Sequence, residues 1–124
     1  MLSKENAHAT LAVKDINAAR RFYEDTLGLE ATSSEGSDFV AYGTQDSTIF
    51  VYTSRYAGTN EATAVTWIVA DVEKTVEELK ERGVAFEHYD MPGMTLEGDI
   101  HVSGDMKVAW FKDPDGNIHS IAQE

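Results

Sequence analysis

Cysteine is absent from this 124-residue chain, so disulfides, thiolate nucleophiles and cysteine-ligated zinc are excluded. Positive charge is scarce: 10 Lys and Arg against 22 Asp and Glu leave a net charge of −12. A surface of that sign repels nucleic acid and anionic membranes, and neither is an expected partner. The acidity reads mainly as solubility, with attraction of a cationic ligand as the lesser alternative. No apolar run approaches the roughly 20 residues needed to cross a bilayer; the longest, such as 64–70, have the length of strands. The opening Met1-Leu2-Ser3-Lys4-Glu5-Asn6 lacks the apolar centre of a secretory signal, so the expected location is the cytoplasm. A phosphate-cradling glycine loop, a G-x-S-x-G elbow and an H-E-x-x-H pattern are also missing.

What is present suits one globular domain: 42% hydrophobic and 26% charged residues. The chain repeats a rhythm. His8-Ala9-Thr10-Leu11-Ala12-Val13 is followed by Lys14 and Asp15, and Ala64-Val65-Thr66-Trp67-Ile68-Val69 by Ala70 and Asp71. Each reads as a strand, a spacer and an aspartate suited to cap a helix. Ile16, Ala19, Tyr23 and Leu27 then recur at helical spacing before Gly28, and Val72, Val76 and Leu79 do so before Gly83. The spacing predicts further strands at 29–33, 39–43 and 48–53 in the first half, and at 85–89, 107–112 and 117–122 in the second. Asp113-Pro114-Asp115-Gly116 joins the last two as a turn, and 56–61 reads as the linker between halves. Segment 90–106, with Pro92, Gly93 and three methionines, is either a lid or a surface excursion holding a short strand at 100–103.

His8-(x)4-Val13-x-Asp15, Arg21-Phe22-Tyr23-(x)3-Leu27-Gly28-Leu29, Val69-Ala70-Asp71-Val72 and Ala109-Trp110-Phe111-Lys112-Asp113-Pro114-Asp115-Gly116-Asn117 together cover nearly the whole chain. In order and spacing they resemble the vicinal-oxygen-chelate superfamily of glyoxalases, bleomycin-resistance proteins and extradiol dioxygenases. The resemblance implies an α+β fold: two βαβββ modules forming a cupped mixed sheet, helices outside and a ligand cleft within. It implies a single glyoxalase-like domain over 1–124, with module 1 at about 7–55 and module 2 at about 62–124. A homodimer and a small-molecule ligand are the implied partners. Activities in the family range from lyases, isomerases and dioxygenases to proteins that sequester a drug, so enzymatic activity is left open.

Enzymes of this family hold a divalent metal with a His or Gln near the start of each module and a Glu near its end. The matching positions here are His8, Ala64, Phe50 and Ser120. Only His8 retains a strong donor, and one imidazole does not hold a divalent ion tightly. No tightly bound cofactor is therefore expected. The alternative is a metal enzyme (Zn, Ni, Mn or Fe) using His8 with unusual ligands such as His101, His119 or Glu97; alternation turns His119 away from the face of Ser120.

Strand alternation puts His8, Thr10 and Ala12 on the face opposite the helix, with Phe50 and Tyr52, and does the same for Ala64, Thr66, Ile68, Ser120 and Ala122. The candidate ligand-binding residues are Thr10, Phe50, Thr66, Ile68, Met94, His101, Trp110 and Ser120. His8 and Tyr52 are the candidate acid–base pair for metal-free catalysis; His8 also reads as a cleft-lining or an uninvolved strand residue. Of the neighbours Trp110 and Phe111, one faces the cleft and one the helices, and alternation alone does not say which. Met94 and Met106 read as lid padding or as plain surface residues.

Overall fold

The computed structural model describes residues 1–123. The chain forms two compact units: Met1–Glu61 with Pro114–Asn117, and Ala62–Asp113 with the chain from Ile118 onward. The first unit contains β1 (Ala9–Val13), α1 (Ile16–Arg20), a π-wound continuation (Arg21–Thr26), β2 (Glu30–Glu35), β3 (Phe39–Gly43) and β4 (Thr48–Thr53). The second contains β5 (Thr63–Ile68), α2 (Val72–Glu81), β6 (Phe86–Glu87), β7 (Thr95–Glu97), β8 (Ile100–Ser103), β9 (Met106–Lys112) and β10 (Ile118–Gln123).

The sequence rhythm reappears as strand order. The first sheet runs β1-β4-β3-β2, with β1 parallel to β4. The second runs β5-β10-β9-β8-β7, with β5 parallel to β10 and β6 also paired to β9. With the β7–β8 hairpin set aside, β5-β10-β9-β6 repeats β1-β4-β3-β2. The α+β fold of two βαβββ modules follows directly.

Each helix starts where its aspartate puts it. Asp15 Oδ1 accepts from the backbone N–H of Asn17 (2.9 Å) and of Ala18 (3.3 Å), and Asp71 Oδ1 accepts from Lys74 N–H (3.1 Å). These bonds satisfy donors that lack a partner within the first turn. Inward, Ala19 and Tyr23 are fully buried against Leu11, Val13, Val40, Tyr42 and Val51, the helix-side set of the first sheet. Val72 and Val76 play the same part in the second unit, with Phe111 and Ile121. Burial of such side chains contributes roughly 1.5–3 kcal/mol each.

Two sequence expectations shift. Segment 90–106 holds the whole β7–β8 hairpin rather than a single short strand. The strand expected at 85–89 is only two residues long, because the backbone of Tyr89 meets a side chain instead of a strand. Tyr89 N–H lies 3.0 Å from His101 Nε2, and Tyr89 O lies 3.1 Å from the same nitrogen.

Pro114–Asn117 of the turn belong to the first unit and are anchored there. Lys14 N–H donates to Asp115 Oδ1 (3.1 Å), and Asn117 Nδ2 donates to Ala12 O (2.9 Å). Gly58, at φ +81°, packs so closely that a Cβ would stand 2.9 Å from Asp115 O.

Candidate functional site

In the first unit the helix-free face is set by the ladder Thr10↔Phe50↔Ala41↔Ser33, and beside it Ala12↔Tyr52↔Phe39. His8 immediately precedes β1 and is exposed. Its ring centroid lies 5.0 Å from that of Phe50, which lies 5.4 Å from Phe39. Tyr52 is 41% exposed. Ala12 is the register partner of Tyr52, and His8 stands four residues before it, roughly 13 Å along the strand. The imidazole and phenol therefore do not meet as an adjacent acid–base couple. On its other side His8 borders a polar depression of about 310 Å³ with Glu5, Asn6, Thr44 and Asp46.

The second unit presents a richer face. One row crosses it as Thr66↔Ser120↔Trp110↔Glu87, and the next as Ile68↔Ala122↔Val108↔His101↔Leu96. Thr66, Ile68, His101, Trp110 and Ser120 are thus brought onto one face, and the register settles that Trp110 lies on it. Phe111 takes the helix side, 1% exposed and stacked on His119 at 4.8 Å. Met94 is half-buried in the turn before β7, outside these two rows, and Met106 is exposed at the start of β9.

Polar atoms on this face are largely committed. Ser120 Oγ and Thr66 Oγ1 share a 2.7 Å hydrogen bond, and Trp110 Nε1 donates to Thr63 Oγ1 at 3.2 Å. The exceptions are buried. His101 is 1% exposed, and its Nδ1 has no hydrogen-bond partner; neither does the buried hydroxyl of Tyr89. Tyr89 was absent from the residues singled out by sequence. Alternation from Glu87, the partner of Trp110, would have placed it on this face.

The four positions that the resemblance matched to the metal ligands of family enzymes, His8, Phe50, Ala64 and Ser120, carry one strong donor. Phe50 and Ser120 are equivalent in register, since each pairs with the threonine five residues before the capping aspartate of its module. Phe50 offers a ring packed on His8, Ala64 offers a methyl, and Ser120 offers a hydroxyl bonded to Thr66. Such a set does not match the imidazole and carboxylate chemistry of a tight divalent site. Among the described residues, no group of three or more His, Asp or Glu side chains is arranged to hold a metal ion. His119 lies on the helix side, where Trp67 Nε1 donates to its Nδ1 at 3.1 Å. Nor is any helix among the described residues long and apolar enough to cross a membrane.

Comparison with solved structures agrees with this fold. A glyoxalase family protein from Enterococcus faecalis superposes with a TM-score of 0.74 at 18% identity, covering 98% of this chain and 99% of its own. A lactoylglutathione lyase from Agrobacterium tumefaciens gives 0.71 at 14% identity, covering 96% and 92%. TnmS3, an antibiotic binding protein from Streptomyces sp. CB03234, gives 0.67 at 20% identity, covering 96% and 94%. At these identities the likeness establishes the fold alone. No curated protein matches the chain. The model of the Glyoxalase/Bleomycin resistance protein/Dioxygenase superfamily, however, matches residues 6–120, and the chain belongs to that superfamily.

Proposed function

We propose that this chain, acting as a single glyoxalase-like domain, binds a small organic molecule on the helix-free faces of its sheets. It does so by sequestration or metal-free chemistry, without the metal site of the family's enzymes. The observation that carries the proposal is the exchange of donors at the matching positions. His8 packs on Phe50 where a carboxylate would be needed, and the Ser120 hydroxyl is engaged by Thr66. In place of a metal's ligands, the second unit's face offers Thr66, Ser120, Trp110, His101 and Ile68, a mixture of hydroxyl, aromatic and aliphatic groups that suits a small-molecule site. Among the solved relatives, TnmS3 is described as an antibiotic binding protein, which favours binding over turnover as the first activity to examine. A cytoplasmic homodimer is the form we assign to the working protein.

Two measurements test this. Elemental analysis of chelator-free preparations is expected to find no stoichiometric divalent ion; one ion per chain that disappears in His8→Ala overturns the metal-free reading. A thermal-shift screen of small organic compounds is expected to yield hits weakened by Thr66→Ala or Tyr52→Ala. A screen without hits, or hits indifferent to both changes, overturns the assignment of these faces.

A further inference from the structure

Two polar atoms in the second unit are sealed from solvent without a partner, His101 Nδ1 and the Tyr89 hydroxyl. Buried polar groups are nearly always hydrogen-bonded, so two orphans in one cluster call for a physical reason. The rings around them are arranged with care. Trp110 stands edge-to-face with both, at 4.8 Å from His101 and 5.3 Å from Tyr89, while the Tyr89 and His101 rings lie 6.3 Å apart at 30°. All three belong to the helix-free side.

The other nitrogen of His101 is held in an unusual way. Nε2 lies within hydrogen-bond distance of both the N–H and the carbonyl of Tyr89. A neutral imidazole with its proton on Nδ1 accepts from Tyr89 N–H; with its proton on Nε2 it donates to Tyr89 O. Both tautomers are supported by one residue, so Nδ1 is able to present either a proton or a lone pair. The Tyr89 hydroxyl has the same double capacity.

Resting on the small-molecule reading above, we propose that His101 and Tyr89 are its specificity-determining polar groups, and that they select a flat aromatic compound bearing a hydroxyl or carbonyl. Trp110 supplies the aromatic wall, while the two orphan atoms hydrogen-bond the polar substituent. Residues 90–93, which follow Tyr89, are exposed, and the polar substituent enters as Tyr89 yields on that side. Groups kept for a ligand lower the stability of the ligand-free protein, since an unsatisfied buried polar atom is costly until its partner arrives.

The test uses the full chain with 1-naphthol as probe and naphthalene as its shape-matched apolar control. 1-Naphthol is expected to bind about tenfold tighter than naphthalene, as one or two hydrogen bonds supply, and to move the ¹⁵N resonance of His101 Nδ1. In Tyr89→Phe and His101→Phe that preference is expected to collapse, with the loss of affinity falling on 1-naphthol rather than on naphthalene. The melting temperature of Tyr89→Phe is expected to equal or exceed that of the parent, because the change removes an orphan hydroxyl. Equal affinity for the two probes, no binding of either, or a preference that survives both substitutions overturns the proposal. A lower melting temperature in Tyr89→Phe overturns it as well, since the hydroxyl would then be structural. Screening hits that ignore both variants sink this inference and leave the broader binding reading standing; a screen without hits removes the broader reading itself.

Discussion

Trp67 Nε1 donates to His119 Nδ1 across 3.1 Å, and the two rings stack 12° from parallel. The bond requires an unprotonated Nδ1, and His119 is wholly buried. Burial pushes the imidazole down from its ordinary 6.5 to about 4, with the Asp113 carboxylate opposing. Stability therefore depends on pH through this side chain. Between pH 6.5 and 4 the unfolded chain binds a proton that the folded chain refuses, so stability rises with pH across that window. It is complete above about 6.5 and falls by about 3 kcal/mol as the pH drops toward 4. Urea unfolding at steps between pH 7 and 4 should show His119→Phe with a distinctly shallower slope than the parent. Parallel slopes would remove His119 as the cause.

Tyr42 and Glu24 form a second, partly buried link. The Tyr42 hydroxyl donates to Glu24 Oε2 at 2.8 Å, and Arg20 Nε donates to the same oxygen at 2.7 Å. Burial first, and then the Glu24 carboxylate, hold the phenol protonated well above its usual value. Tyr42→Phe should cost about 1.5–3 kcal/mol, the range for a hydrogen bond to a charged group. Arg20→Ala, at a partly exposed ion pair, should cost no more than about 1 kcal/mol. Chemical denaturation that ranked the two the other way would refute this division of labour.

Gly58 and Gly104 separate two kinds of glycine requirement. Both have positive φ, but a Cβ at Gly104 meets nothing within 4 Å, whereas one at Gly58 meets Asp115 O at 2.9 Å. Gly104→Ala should cost roughly 1–2 kcal/mol from the backbone alone. Gly58→Ala should cost distinctly more, since backbone must also shift. Equal losses in thermal unfolding would mean that the 113–117 turn does not need this close approach.

The capping aspartates offer a simpler check. Asp15→Ala and Asp71→Ala should each destabilise by about 1 kcal/mol, and the corresponding Asn variants much less, because Asn also caps well. If Asn is as harmful as Ala, the carboxylate charge rather than the hydrogen bond is responsible.

The modules were legible from local chemistry. Asp15 and Asp71 cap as their positions suggest, and period-two alternation correctly sorted Leu11 and Val13 from Thr10 and Ala12, as it did Trp67 and His119 from Thr66 and Ser120. Such patterns are written in neighbouring residues, because capping and alternation act over only a few positions. Trp110 and Phe111 could not be assigned that way: alternation separates them without giving a sign, and only the pairing of Trp110 with Ser120 supplies it. His101 was singled out as a candidate, but its pairing with Tyr89 was further out of reach. Their meeting depends on β8 lying against β9 and on β6 ending early, so that a side chain takes the place of a strand partner. The chain by itself determined the family and the repeated strand-helix rhythm of its two modules, since each rests on residue identity at short spacing. Only the tertiary structure decided which aromatic faces which way and which buried polar atoms lack a partner, because hydrogen-bond satisfaction is a property of distant segments brought together.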